Sequence, residues 1–149
     1  MPERFRIYCS VVLLLIKDNA VLLSRRCNTG WNDGAYAVPA GHLKENESVL
    51  DALIREAREE TGLVLKRENL KVIHVMHRKT SEREYIDFVV QAVAWEGEPV
   101  NAEPDKCDDM SWFPLDSLPR NVLPASARTL ELYRKGDLFS EFGWGEKTD

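Results

Sequence analysis

Arg55, Glu56, Glu59 and Glu60 stand in one tight register, with Gly41 and Glu47 before them and Gly62 after. At about 100° per residue a helix would carry the three glutamates on one arc, with Arg55 one turn from Glu59. Carboxylates so placed repel one another, weakening a helix by about 0.2–0.5 kcal/mol per i,i+4 pair. A solvated acidic face is one reading of such a cluster. The other is a ligand set for a hard divalent cation. Mg²⁺ takes oxygen donors, keeps several waters and is commonly shared with substrate phosphates.

Those side chains need a helix to hold them. Ser48 is suited to cap its N-terminus, with Asp51 three residues on, and Gly62 to follow its last turn. Leu50, Leu53, Ile54 and Ala57 recur at spacings of 3 and 4 and form the face that would bury. Before the helix, Val11–Ile16 is a branched, continuous apolar run, as expected of a strand covered on both faces. Lys17–Ala20 reads as a turn, and Val21–Arg26 as the returning strand of a hairpin. A polar loop from Cys27 to Gly34 leads to a short strand, Tyr36–Val38, and a loop over Pro39-Ala40-Gly41.

Beyond Gly62, Leu70–His77 and Tyr85–Trp95 read as strands joined by a polar turn over Lys79–Glu84. A charged loop, Glu96–Asp109, precedes a short strand at Met110–Pro114. Asp116–Leu118 reads as one helical turn, Ala125–Arg134 as a helix ended by Gly136, and the aromatic tail Phe139–Trp144 is expected to fold back on the body. The expectation is a single α/β domain over residues 1–149, a sandwich with helices on a mixed β-sheet.

Composition narrows the function classes. A chain of 149 residues with 44% hydrophobic and 30% charged residues is long enough for a core and too apolar for a disordered protein. A formal charge of −5 argues against a nucleic acid polymer as partner and leaves room for a small polyanion met by local cations or metal. Cys9, Cys27 and Cys107 are scattered and odd in number, which reads as reduced thiols rather than a disulfide framework or zinc site. The apolar run after Arg6 lacks a cleavage-site pattern and is too short to cross a membrane, so the expectation is a cytoplasmic protein with no membrane partner. Nothing here separates a monomer from a homodimer.

The whole register, Gly41, five residues, Glu47, seven residues, then Arg-Glu-Ala-Arg-Glu-Glu-Thr-Gly-Leu, resembles the Nudix box, G-x5-E-x7-R-E-U-x-E-E-x-G-U with U aliphatic. Ala57 is a small residue at the first U position. The order of elements also looks like the Nudix fold, an α/β/α sandwich. The resemblance implies hydrolysis of a nucleoside diphosphate linked to another group, with Mg²⁺ or Mn²⁺. Glu56, Glu59 and Glu60 would be metal-binding carboxylates, joined by a backbone carbonyl of Ala40 or Gly41. One of the glutamates would serve or orient the base, Arg55 would orient Glu59, and Glu47 would support. The expected substrate is a (d)NTP, cleaved to (d)NMP and pyrophosphate. ADP-ribose, a nucleotide sugar or a dinucleoside polyphosphate is the alternative. The proline that often follows the box in ADP-ribose-directed members is absent between Val64 and Glu98, as are the zinc cysteines and SQPW-type motif of the NADH branch. A nucleotide sensor without catalysis is the reading of a different class.

Substrate contacts are less legible. Arg25 and Arg26 are adjacent on a strand, so one could face a pocket while the other is solvated, or both could be ordinary surface arginines. Trp31 is either a core lid or a binding wall, and Tyr36 is a ring that could stack on a base or simply fill core. Asp87 lies in an apolar strand, where an unpaired charge is costly, so it should have a partner or face the pocket. Glu103 and Asp105 are carboxylates outside the box that could act as base, against the plainer reading of solvated loop acids. His42 could approach the site. His74 and His77 should lie on opposite faces, and Asn121 is expected to cap the last helix.

Overall fold

The computed structural model describes residues 1–145. The strands divide between two sheets rather than one. The first has five strands in the order β5 (Ala40–His42), β1 (Tyr8–Leu14), β7 (Glu84–Ala92), β6 (Leu70–Lys79), β9 (Phe139–Phe142). It is mixed: β1 runs parallel to β7 and β6 to β9, while β5–β1 and β6–β7 are antiparallel. The second sheet is antiparallel. Its central strand β3 (Ala20–Arg26) pairs with β2 (Ile16–Lys17), β4 (Tyr36–Ala37) and β8 (Cys107–Pro114). Helix α1 (Val49–Thr61) packs on β1 and β5, and α2 (Pro124–Lys135) packs on β6.

The strict alternation of β1 explains how one strand serves two cores. Val11 and Leu13 join Ala52, Leu53 and Ala57 of α1, whereas Val12 and Leu14 join Leu23, Val89 and Leu130 of α2. Leu53 is fully buried, so truncation to alanine would cost about 2–5 kcal/mol. The ends of α1 follow their chemistry. The Ser48 hydroxyl accepts from the Asp51 N–H at 3.2 Å, and Gly62, at φ 75°, turns its N–H back to the Arg58 carbonyl.

Several boundaries move. Ala40–His42 forms strand β5 against β1, where a loop was expected; three residues containing a glycine carry no periodic signal. The hairpin strands run to Lys79 and Glu84, which tightens the turn to Thr80–Arg83. Strand β8 starts at Cys107, within the expected charged loop, and Arg67–Asn69 forms an unforeseen 3₁₀ turn. Asp116–Leu118 is not a helical turn: the Ser117 N–H donates to the Pro114 carbonyl and closes a turn over Pro114–Ser117, with Leu118 outside it. Asn121 does not cap α2. Proline at the first helical position needs no donor partner there, and the Asn121 amide instead donates to the Gly34 carbonyl at 2.7 Å. The aromatic tail does fold back: β9 pairs with β6, and the Trp144 indole N–H donates to the His77 carbonyl. All three cysteines are free and partly buried.

Candidate active site

Arg55 organises the acidic helix. Its Nε and Nη2 grip both oxygens of Glu47 at 2.7 and 3.0 Å, Nη2 also reaches the His42 carbonyl at 3.0 Å, and Nη1 bonds Glu56 at 2.8 Å. Its contact with Glu59, at 3.3 Å, is the longest of the set. Arg55 therefore braces Glu47 and Glu56 more closely than the Glu59 it was expected to orient. Glu47 in turn accepts from the Lys44 N–H, which ties the loop before α1 to the arginine. This bidentate grip holds the Glu47 carboxyl down at about 2.

Gly41 makes room for Glu56. A Cβ on Gly41 would lie 2.0 Å from the Glu56 carboxyl carbon, so no other residue fits without displacing that carboxylate. The requirement comes from close approach rather than from backbone angle. Ala40 and Gly41 are held there by the pairing of β5 with Val12 and Val11 of β1.

Glu56, Glu59 and Glu60 all line one cleft of about 540 Å³, together with Ala40 and Gly41. Glu103 lines it too, and the reason is non-local. The last carbonyls of α1, those of Glu60 and Thr61, accept from the N–H groups of Ala102 and Val100. The loop that satisfies the helix end thereby carries Glu103 to the glutamates, while the Asn101 side chain braces it against the Glu103 N–H and the Cys107 carbonyl. Burial pushes the Glu60 carboxyl well above the usual range, and Glu56, Glu103 and Glu59 push it further. Burial also raises Glu56, with Arg55 opposing. Asp105 is exposed and does not line the cleft.

The cations at the cleft are Arg25 and Arg26 from β3 and Lys106 from the loop. The expected division of the two arginines does not occur. A β-bulge falls between their pairings with Asp109 and Cys107, and both residues reach the cleft. Arg25 bonds Asp108 at 2.7 Å. Arg26 bonds Thr29 and the Trp31 carbonyl and stacks on the Trp31 ring at 4.8 Å. Lys106 was missed; its signal was a lone cation in an acidic loop. His42 sends its carbonyl to Arg55, while its ring packs beside Tyr8 and Tyr85.

A second cleft of about 170 Å³ shares Ser24, Arg26, Ala40 and Glu60 with the first. Trp31, 52% exposed, lines it as a wall rather than lying as a core lid. Asp87 lines it as well, buried and bonded to Ser10 and Arg78, so its charge is partnered. Tyr36 lines neither cleft. It is a core ring edge-on to Phe113, with its hydroxyl donated to Asp109. His74 is buried and His77 is partly exposed, on opposite faces of β6.

The donor set suits a hard divalent cation. Glu56, Glu59, Glu60 and Glu103 offer it hard carboxylate oxygens, and the burial of Glu56 and Glu60 among like charges is what a cation would relieve. Among the described residues no three such side chains stand in a ready ligand array, in keeping with the engagement of Glu56 by Arg55.

Comparison with known proteins shows the family. The NUDIX domain family matches residues 6–134. The NAD-capped RNA hydrolase NudC of Pseudomonas aeruginosa (strain LESB58) is 33% identical over 120 residues, covering 80% of this chain but only 40% of NudC. This chain thus spans about two fifths of the length of those relatives. An ADP-ribose pyrophosphatase of Methanocaldococcus jannaschii is 28% identical over 79% of this chain and 70% of its own. Among solved structures, a MutT NUDIX hydrolase from Burkholderia pseudomallei aligns with a TM-score of 0.78 and 28% identity, over 85% of this chain and 98% of that one. With its acidic helix, braced arginine and two-sheet fold, the chain belongs to the NUDIX domain family.

Proposed function

We propose that this Nudix-family enzyme is a pyrophosphohydrolase whose substrate is a (d)NTP, cleaved to (d)NMP and pyrophosphate. The observation that carries this is the meeting of four carboxylates, Glu56, Glu59, Glu60 and Glu103, with Arg26 and Lys106 at one cleft. Glu56, Glu59 and Glu60, with the Ala40 or Gly41 carbonyl, would hold Mg²⁺ or Mn²⁺, which would supply charge neutralisation on phosphate oxygens and activation of water. The protein supplies the rest. Arg55 holds Glu56 in place. Arg26 and Lys106 attract the phosphate chain. A cleft carboxylate takes the proton of the attacking water as its oxygen bonds to phosphorus. The P–O bond to the leaving phosphate breaks, and its electron pair departs on that oxygen. Glu103 is the candidate base outside the box.

A second reading keeps the chemistry and changes the substrate to ADP-ribose, another nucleotide sugar or a dinucleoside polyphosphate. It is favoured by the relatives named as an ADP-ribose pyrophosphatase and an NAD-capped RNA hydrolase. The deciding experiment incubates the protein with (d)NTPs, ADP-ribose, NADH and an NAD-capped oligoribonucleotide, with Mg²⁺ or Mn²⁺, and identifies products. Pyrophosphate and monophosphate from a (d)NTP support the first reading. AMP from ADP-ribose or NADH, or cap removal from the RNA, supports the second, and no product from any substrate overturns both.

A further inference from the structure

The second cleft ends on an arginine that the reaction leaves unused. Arg78 donates its Nε to Asp87 Oδ2 at 2.6 Å and its Nη2 to Oδ1 at 3.2 Å. Asp87 also accepts from the Ser10 hydroxyl and is 5% exposed. The guanidinium carbon lies 4.1 Å from the centre of the Tyr85 ring. A buried carboxylate on one edge and an aromatic ring on one face together set its plane. The Nη1 group has no hydrogen-bond partner among the described residues, yet no buried side-chain polar atom there is left unsatisfied, so Nη1 reaches solvent. Arg78 and Asp87 both line the second cleft.

The shape of that cleft says what it takes. About 170 Å³ is below the 300–1,000 Å³ of a drug-sized ligand pocket and suits one ring system rather than a whole nucleotide. Val12, Val38, Pro39 and Leu123 give it apolar walls, and Trp31 adds an aromatic one. Its junction with the first cleft runs along Ala40, Glu60 and Arg26, beside the proposed phosphate site. A slot whose lining is half apolar and half polar, beside a phosphate site and with a fixed donor on its wall, suits a planar base.

We propose that Arg78 is the specificity determinant of this site, donating its free Nη edge to a carbonyl oxygen on a nucleobase seated in the second cleft, with Asp87 as the residue that positions it. The inference rests on the nucleotide reading above and names the class of base. Guanine offers O6 and N7 as adjacent acceptors, and uracil or thymine offers O4. Adenine and cytosine turn an exocyclic amino group to the same place, donor against donor. The site accordingly prefers keto bases.

The test measures binding and turnover separately. Titration calorimetry with GMP, UMP, AMP and CMP gives affinity without chemistry, and kcat and KM for the four triphosphates give turnover. The expectation is a preference of about tenfold or more for the keto bases, carried by KM rather than kcat. Arg78→Met removes the donors but leaves Asp87 buried without its cation, so folding is checked by circular dichroism. Arg78→Lys keeps the charge for Asp87 and loses the planar fork. In the lysine variant the preference falls to about threefold or less, the change appearing in KM for GTP and UTP. Equal binding of GMP and AMP by the wild type overturns the assignment, as does absence of binding or an Arg78→Lys protein that keeps the full preference. Keto-selective binding, lost in Arg78→Lys, without turnover of any triphosphate would sink the (d)NTP hydrolase reading and leave Arg78 in its role. Equal kcat/KM for all four triphosphates would do the reverse.

Discussion

Gly41 and Glu56 touch so closely that a methyl group on the glycine would occupy the place of the carboxylate, 2.0 Å from its carbon. Strand β5 and helix α1 thus meet at a point where only hydrogen fits. Gly41→Ala should leave the fold intact, because the glycine does not rely on a left-handed backbone, and should displace Glu56. A shift of about 1 Å in a catalytic group costs on the order of 10²-fold in rate. Steady-state turnover beside a thermal melt checks this: kcat falls by about that factor while Tm moves by only a few degrees.

Arg55 donates five hydrogen bonds to four residues, Glu47, Glu56, Glu59 and His42, and its side chain is 21% exposed. Arg55→Met leaves Glu47 and Glu56 without their shared donor. The expected loss is about 1–3 kcal/mol in urea denaturation, together with loss of activity. Arg55→Lys should recover only part of the stability, since a point charge cannot grip Glu47 with two parallel bonds.

The depressed Glu47 carboxyl gives a pH signature. A group whose folded value, about 2, lies below its ordinary 4.5 contributes stability that is fully present above 4.5 and is lost as pH falls toward 2. The stability difference between wild type and Glu47→Gln should be flat above about pH 5.5 and shrink below pH 4.5. A difference that stayed constant down to pH 3 would contradict the grip of Arg55 on Glu47.

Two loop acids separate by position. Glu103 borders the cleft and Asp105 does not. Glu103→Gln should lower kcat by about 10² or more if it takes the proton of water, and Asp105→Asn should leave it within about twofold. Parallel effects in both variants would count against a direct part for Glu103.

The acidic helix was legible because its signals are local. Caps at Ser48 and Gly62, an apolar stripe at Leu53 and Ala57, and glutamates at 3 and 4 spacing all lie within one stretch. β1 was equally plain, since Val11–Leu14 could only be buried on both faces. What was only partly legible depends on pairs far apart in the chain. Glu103 reaches the site because Val100 and Ala102 satisfy the end of α1. Asp87 signalled that it needed a partner, but only the register Arg78↔Tyr85 and Met76↔Asp87 brings Arg78 to it. Arg25 and Arg26 misled because a bulge, set by the extra residue in β8, broke the alternation on which their separation rested.

The proposed role of the glutamate cluster is hydrolysis of a phosphoanhydride. Wild type and Glu59→Gln are incubated with a dNTP panel and Mg²⁺ in ¹⁸O-labelled water, and products are read by mass spectrometry. Monophosphate and pyrophosphate are expected from the wild type, with label at a single phosphorus, and a rate at least about 10²-fold lower for Glu59→Gln. Triphosphates left intact by the wild type, or cleaved equally fast by both proteins, would contradict that role.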